Sequence, residues 1–261
     1  MNLVGELLNQ THGPTYTYNI RLDEDGGDDR TATFYGNVTE QIAIACAKIA
    51  EDPILSKAPA VNAIGFSQGG QFMRAYVETC NHPPVKNLVT FGSPHNGISD
   101  FNNCEQSWSI LVCIAWDGIL KTQTWTHWVQ SHLVPAQYYK NPEKIDEYLE
   151  YSNWLANVNN ERPVKNETYK QNLANLDTFW MYQFSEDTVV VPPESTWFDS
   201  VVGTGEDRIV KKLKDQDIYQ EDWIGLKELD EKGALVYKMA EGPHMSVTDE
   251  LLKDVFEMMY D

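Results

Sequence analysis

The residues best suited to chemistry lie in one short segment, Gly65-Phe66-Ser67-Gln68-Gly69, which fits the pattern Gly-x-Ser-x-Gly. An apolar run precedes this segment and a helical pattern follows it, so the serine would sit on a sharp strand-to-helix turn. Such a turn holds the serine in strained backbone geometry, and side chains in place of the glycines would clash. The segment therefore predicts Ser67 as a nucleophile. The alternative is a glycine-rich turn whose serine is incidental.

A serine nucleophile of the α/β-hydrolase type needs an acid and then a histidine later in the chain. His244 follows the last predicted strand and precedes the last predicted helix, which would bring it beside Ser67 as the base. The other histidines are poorer candidates: His12 precedes the serine, His82 is expected in a surface turn, and His127 and His132 are expected in a lid or on the surface. His95 could line the site, but a loop-fixing role is the better interpretation.

The acid is expected directly after an intermediate strand. Glu186 and Asp187 both follow the strand that ends at Phe184, and either carboxylate could orient the histidine. Asp187 is preferred because the following Thr-Val-Val resembles the Asp-x-x-Val loop common at this position. For either residue, a solvated loop carboxylate is the alternative.

The elements that must position these residues alternate between strand and helix. Strands are predicted at 15–20, 61–65, 87–91, 178–184 and 234–239, and helices at 38–51, 68–80 and from Thr248 onward. This order predicts an α/β fold with a mostly parallel central sheet and helices on both faces. An aromatic-rich helical insertion near 99–172 would form a cap on a single domain spanning 1–261.

Composition excludes several classes of function. The chain has 261 residues and a formal net charge of −19, which argues against binding to nucleic acid or to an anionic membrane surface. No run approaches the roughly 18 apolar residues of a membrane span, and no signal peptide is visible. Four cysteines and three glycosylation sequons, at Asn9, Asn37 and Asn166, are nevertheless typical of a secretory protein.

Several segments together resemble the palmitoyl-protein thioesterases, most closely the lysosomal type 1 enzymes. They are 63–75 (AIGFSQGGQFMRA), 83–88 (PPVKNL), 166–170 (NETYK), 194–198 (ESTWF), 225–230 (GLKELD) and 241–244 (EGPH). The resemblance implies an α/β-hydrolase that removes long-chain fatty acyl groups from S-acylated cysteines of proteins. It implies a triad of Ser67, Asp187 and His244, with the Gln68 backbone N–H as an oxyanion donor.

The resemblance also predicts which cysteines form disulfides and in which cellular compartment the protein lies. It implies disulfides Cys46–Cys80 and Cys104–Cys113, and a lysosomal or other lumenal location. The chemistry requires no metal and no cofactor, and the substrates would be S-acylated proteins or fatty acyl thioesters. We expect a monomer.

A palmitoyl chain needs a long apolar groove, and each CH₂ that it buries contributes about 0.8 kcal/mol. The insertion offers six apolar candidates for this groove: Trp108, Ile110, Leu111, Ile114, Trp116 and Ile119. Ordinary packing within the cap is the alternative for each of them.

The resemblance breaks at the N-terminus. The family opens with a strand and a His-Gly-x-Gly-Asp loop that supplies a second oxyanion donor, whereas this chain begins in the helix after that loop; His12-Gly13-Pro14 is not the motif. We therefore expect an N-terminally truncated sequence. Two alternative functions remain at this stage: a catalytically impaired acyl-binding homologue, and a lipase or carboxylesterase acting on oxygen esters.

Overall fold

The computed structural model describes residues 2–100, 118, 122–203 and 205–260. Its strands are β1 (Val61–Phe66), β2 (Val85–Phe91), β3 (Thr178–Glu186), β4 (Ser200–Val202), β5 (Ile209–Lys211) and β6 (Leu235–Pro243). The α-helices of this part of the chain are α1 (Asn2–His12), α2 (Gly26–Ala32), α3 (Val38–Glu51), α4 (Gln68–Thr79), α5 (His127–His132), α6 (Val134–Gln137), α7 (Ile145–Tyr151), α8 (Leu155–Val158), α9 (Glu167–Ala174), α10 (Asp217–Gln220), α11 (Leu226–Glu231) and α12 (Asp249–Tyr260). Short 3-10 helices occur at Leu55–Lys57, Pro142–Lys144, Pro193–Trp197, Gly205–Asp207 and Leu213–Asp215.

The central sheet has the strand order β1-β2-β3-β6, and every neighbouring pair is parallel. Phe66 at the end of β1 pairs with Phe91 at the end of β2, which pairs with Tyr182 of β3. The carboxyl ends of these strands therefore meet at one edge of the sheet, where open α/β sheets bind their ligands. Strands β4 and β5 form a separate antiparallel pair.

Successive residues of each strand point to opposite sides of the sheet, so both sides carry apolar side chains. Helices cover both of these faces. Leu88 and Phe179 face one cluster that includes Tyr76 of α4 and Leu173 of α9. Val89, Phe91, Tyr182 and Phe184 face the other cluster, whose helical members are Leu8 of α1 and Leu252, Val255, Phe256 and Met259 of α12. The α/β fold with a parallel central sheet is confirmed.

The strand prediction at 15–20 is wrong. This segment is neither strand nor helix; Tyr18 and Ile20 pack against the first cluster, whereas Tyr16 is exposed. A strand needs a paired neighbour for its backbone groups, and none of the described strands pairs with this segment. Alternation in the sequence therefore did not show whether the backbone of this segment pairs with another strand.

The described part of the insertion is helical and packs on α3. Val129, Val134 and Leu155 belong to a cluster that also contains Val38 and Ile42 of α3. The six candidates for acyl contact lie outside the described residues, as do Cys104 and Cys113. The extent of the cap and its place within a single domain stay predictions.

A disulfide joins Cys46 of α3 to Cys80 at the end of α4, with their Cα atoms 6.2 Å apart. It links the helix before β1 to the helix after it, as the family resemblance implied. Within the described ranges, no helix has the length and apolarity that a membrane crossing requires.

Candidate active site

Ser67 occupies the turn between β1 and α4 with φ 50° and ψ −128°, a conformation that is rare for a residue with a side chain. Its N–H donates to the Phe91 carbonyl at 2.7 Å, which fixes the turn against β2. A Cβ at Gly65 would overlap the backbone of Gly70, and one at Gly70 would overlap Ser93. A Cβ at Gly69 would meet nothing within 4 Å, so the clash expected for a side chain at that position is wrong. The close approaches are at Gly65 and Gly70.

His244 lies just beyond β6 and reaches the serine. Its Nε2 is 3.0 Å from Ser67 Oγ, and its Nδ1 is 2.8 Å from Asp187 Oδ2. Gly92, with φ +55°, makes room for the ring, because a Cβ there would lie 2.9 Å from His244 Cε1. Gly92 was not among the predicted site residues, although a glycine directly after a predicted strand was a visible signal.

Asp187 follows β3 and is held in place by its own loop. Its Oδ1 accepts the N–H groups of Val189 at 2.9 Å and Val190 at 3.0 Å, while Oδ2 faces His244. The Asp187 side chain is buried, whereas Glu186 is exposed. Of the two carboxylates that the sequence left open, the structure brings Asp187 to the histidine.

Gln68 is the first residue of α4, so its N–H is among those that no helical carbonyl can accept. The helix dipole also places partial positive charge at this end, next to Ser67. Tyr138 contacts the Gln68 side chain, its hydroxyl 3.5 Å from Oε1. Burial raises the pKa of Tyr138, which keeps its hydroxyl protonated and able to donate. Tyr138 was not among the predicted site residues, because nothing in its local sequence links it to the turn at Ser67.

The other histidines lie away from the serine. His95 is fully buried, with Nε2 3.0 Å from Thr90 Oγ1 and its ring stacked on Phe198. Burial and the nearby Arg74 hold the pKa of His95 well below its ordinary value, so the ring is neutral. His12 stacks on Tyr260, and His12, His82, His127 and His132 are all exposed.

A buried ion pair supports the helix that follows Ser67. Arg74 and Glu78 are both fully buried and lie one turn apart, with Nη1 2.8 Å from Oε1. Arg74 also donates to Asn159 Oδ1 at 2.8 Å, which ties α4 to the insertion. Burial raises the pKa of Glu78 to about 7, and the charge of Arg74 opposes that rise only in part. This pair was not predicted from the sequence, although an Arg and a Glu at i and i+4 in a predicted helix could have indicated it.

The three sequons occupy different settings. Asn37 and Asn166 precede α3 and α9, and their side-chain oxygens accept the N–H groups of Thr39 and Thr168, each at 3.0 Å. Asn9 lies within α1 and its Oδ1 accepts the Thr15 N–H. Asn9 and Asn166 are exposed, and Asn37 is half-buried.

Comparison with known proteins decides the family. The family model described as palmitoyl protein thioesterase matches residues 1–244. The chain belongs to this family. It is 34% identical to palmitoyl-protein thioesterase 1 of Caenorhabditis elegans over 97% of this chain and 83% of that protein. It is 36% identical to palmitoyl-protein thioesterase 3 of Dictyostelium discoideum over 85% of this chain and 72% of that one.

More distant relatives carry a name that refers to a compartment. The lysosomal thioesterase PPT2 homolog of Drosophila melanogaster is 29% identical over 66% of this chain and 58% of its own length. Membership of the palmitoyl-protein thioesterase family makes the chain a hydrolase, as the resemblance predicted.

Proposed function

We propose that this thioesterase-family chain hydrolyses long-chain fatty acyl thioesters, such as palmitoyl groups on protein cysteines, with Ser67, His244 and Asp187 as its triad. One observation carries the proposal: Ser67 Oγ, His244 and the Asp187 carboxylate form a continuous chain of contacts at 3.0 and 2.8 Å. This is the arrangement in which a histidine takes a serine proton while a carboxylate orients the ring.

The first half-reaction forms an acyl-enzyme. Ser67 Oγ attacks the thioester carbonyl carbon as its proton passes to His244 Nε2, and Asp187 stabilises the imidazolium through Nδ1–H. The carbonyl oxygen gains negative charge beside the Gln68 N–H at the start of α4. The C–S bond then breaks, and the thiolate takes the proton from His244. Thiols have a pKa near 8.5, so the leaving group needs little acid assistance.

The second half-reaction releases the fatty acid. A water molecule attacks the acyl carbon while His244 Nε2 accepts one of its protons. The bond between the acyl carbon and Ser67 Oγ then breaks, and Oγ takes that proton from His244. The free enzyme is restored, and the sum of the two steps is hydrolysis of one thioester to a carboxylic acid and a thiol. The acyl chain is proposed to contact Trp108, Ile110, Leu111, Ile114, Trp116 and Ile119, which lie outside the described residues.

A lumenal, lysosome-like compartment fits this activity. Disulfides such as Cys46–Cys80 persist in oxidising compartments and are rare in the cytosol. The lysosomal names of several relatives support the same location. Asn9, Asn37 and Asn166 are the proposed glycosylation sites, Cys104 and Cys113 a proposed second disulfide, and S-acylated proteins the proposed substrates of a monomer.

The direct test compares wild type with Ser67→Ala on a palmitoyl thioester. We expect kcat to fall on the order of 10⁶-fold, toward the uncatalysed rate, because the nucleophile is lost. Ser56→Ala, in the 3-10 helix Leu55–Lys57, is the matched control and should retain full activity. Equal residual rates in wild type and Ser67→Ala would refute the proposal.

Two further measurements separate the alternatives. An alkyl fluorophosphonate should label Ser67 and no other serine; failure to label, with fatty-acid binding retained, would favour an acyl-binding homologue. Palmitoyl thioester and palmitoyl oxygen ester should be assayed side by side. A kcat/KM higher for the oxygen ester would assign the chain as a lipase or carboxylesterase.

A further inference from the structure

An apolar groove lies at the opposite end of α4 from Ser67. It has a volume of about 650 Å³, within the range of ligand-binding sites. Thr79 and Cys80 line it, whereas Ser67 directly precedes the first residue of the helix. The twelve residues of α4 rise 1.5 Å each, so Ser67 and Thr79 lie about 18 Å apart along the helix axis. None of Ser67, Asp187 and His244 lines the groove. The groove is therefore distinct from the candidate active site.

The walls of the groove are mostly aliphatic and aromatic. Ile42 of α3, Trp154 and Val158 line its inner part, and all three side chains are buried. Val164 lines its rim and is 89% exposed. An isolated valine this exposed is unremarkable, but here it continues an apolar surface that leads inward to Trp154. An apolar chain of several carbons could lie along this surface.

Among the described residues that line the groove, Arg162 carries a charge, and this charge selects a class of ligand. It lines the groove and donates through Nε to the Leu149 carbonyl, through Nη2 to the Ser152 carbonyl and through Nη1 to Asn157 Oδ1. All three acceptors are neutral. Across the described residues, no carboxylate lies within 4.0 Å of this guanidinium.

The guanidinium of Arg162 is thus held in place without a carboxylate at ion-pair distance in the described part of the chain, whose full sequence has a net charge of −19. A guanidinium has five N–H donors, so three bonds leave two, one on each terminal nitrogen. Two such donors suit a carboxylate, which can accept from both.

We propose that this groove binds a long-chain carboxylate, with the alkyl chain along Ile42, Trp154 and Val164 and the carboxylate on Arg162. A fatty acid anion is the molecule that combines these two parts. It is also the product of the proposed function, on which this part of the inference rests. The groove would then hold released fatty acid outside the active site, near the far end of α4, on the same chain that produces it.

Photo-crosslinking can map the site directly. The probe is palmitate with a diazirine near the end of its chain, used below its micelle concentration and followed by peptide mass spectrometry. We expect adducts on residues 39–43 and 154–164, competed by palmitate but at least tenfold less by methyl palmitate, which lacks the charge that Arg162 recognises. The experiment is done in a Thr168→Ala background, which removes the sequon of Asn166, a residue that lines the groove. The backbone N–H of residue 168 remains, so Asn166 Oδ1 still caps α9.

Val164 offers a charge-reversed pair of variants that should not disturb folding, because this side chain is almost fully exposed. Val164→Glu and Val164→Lys lose the same valine, but only glutamate repels a carboxylate. We expect Val164→Glu to weaken palmitate binding at least tenfold and Val164→Lys less than threefold. Ile209→Glu, a change at an exposed position on β5, should leave the affinity unchanged.

Either of two results would overturn the groove proposal: adducts confined to the surroundings of Ser67, or equal losses of affinity in Val164→Glu and Val164→Lys. Thioester turnover is measured on the same samples and should be unchanged by both Val164 variants. Groove adducts without turnover would count against the proposed function alone, and turnover without groove adducts would count against the groove alone.

Discussion

Replacement of Glu78 by glutamine should change how stability depends on pH. Glu78 is fully buried in α4, and its partner Arg74 is held by Asn159 as well. Burial raises the pKa of the carboxyl from 4.5 to about 7 because the interior disfavours the charged form. In the unfolded chain the carboxyl returns to its ordinary value. Glutamine copies the protonated carboxyl in shape but cannot ionise.

The direction in which stability changes with pH follows from proton linkage. Between about pH 4.5 and 7 the folded protein retains the Glu78 proton that the unfolded chain has released. Stability from this group is therefore complete below pH 4.5 and is lost as pH rises through the folded pKa. Each pKa unit corresponds to about 1.4 kcal/mol, so the loss amounts to about 3 kcal/mol by pH 8. The free energy of unfolding of wild type is therefore larger at acidic pH. Glu78→Gln should lack this pH-dependent contribution.

The assay is urea denaturation of wild type and Glu78→Gln from pH 4 to pH 8 without reductant. We expect Glu78→Gln to gain about 3 kcal/mol relative to wild type across this range, because the difference between the two proteins isolates Glu78 from other titrating groups. Glu257→Gln, at an exposed position of α12, should track wild type at every pH. A difference between wild type and Glu78→Gln that stays constant with pH would show that Glu78 does not titrate in this range.

Two substitutions test how His244 is positioned. Asp187→Asn should lower kcat by about 10⁴ with little change in KM, because an amide favours the wrong tautomer of the ring; the exposed Glu186→Gln should remain within twofold of wild type, and the reverse ranking would assign the acid to Glu186. Gly92→Ala adds a methyl group 2.9 Å from His244 Cε1 at φ +55°. We expect a loss of 10² or more in kcat because small misplacements of a catalytic group are costly, while Gly26→Ala, where a Cβ meets nothing within 4 Å, should behave as wild type. Full activity of Gly92→Ala would mean that the ring moves aside without cost.

The proximity of Ser67 and His244 could be predicted from a short motif and from the order of elements along the chain. Gly65, Ser67 and Gly69 are neighbours in sequence, and the alternation of strands and helices places the carboxyl ends of parallel strands at one edge. His244 follows from chain order, since it alone comes after the last predicted strand. The periodicity of α3, α4 and α12 likewise reflects one buried face of each helix.

Tertiary structure alone decided the features that depend on contacts between distant segments. Glu186 and Asp187 are adjacent and chemically alike, and only the turn after β3 buries one and exposes the other. Segment 15–20 has the alternation of a strand, but hydrogen-bond pairing is a property of two segments. The Arg162 charge shows no special character in the sequence. It becomes a candidate for binding a carboxylate only because folding places it among neutral acceptors and beside an apolar groove.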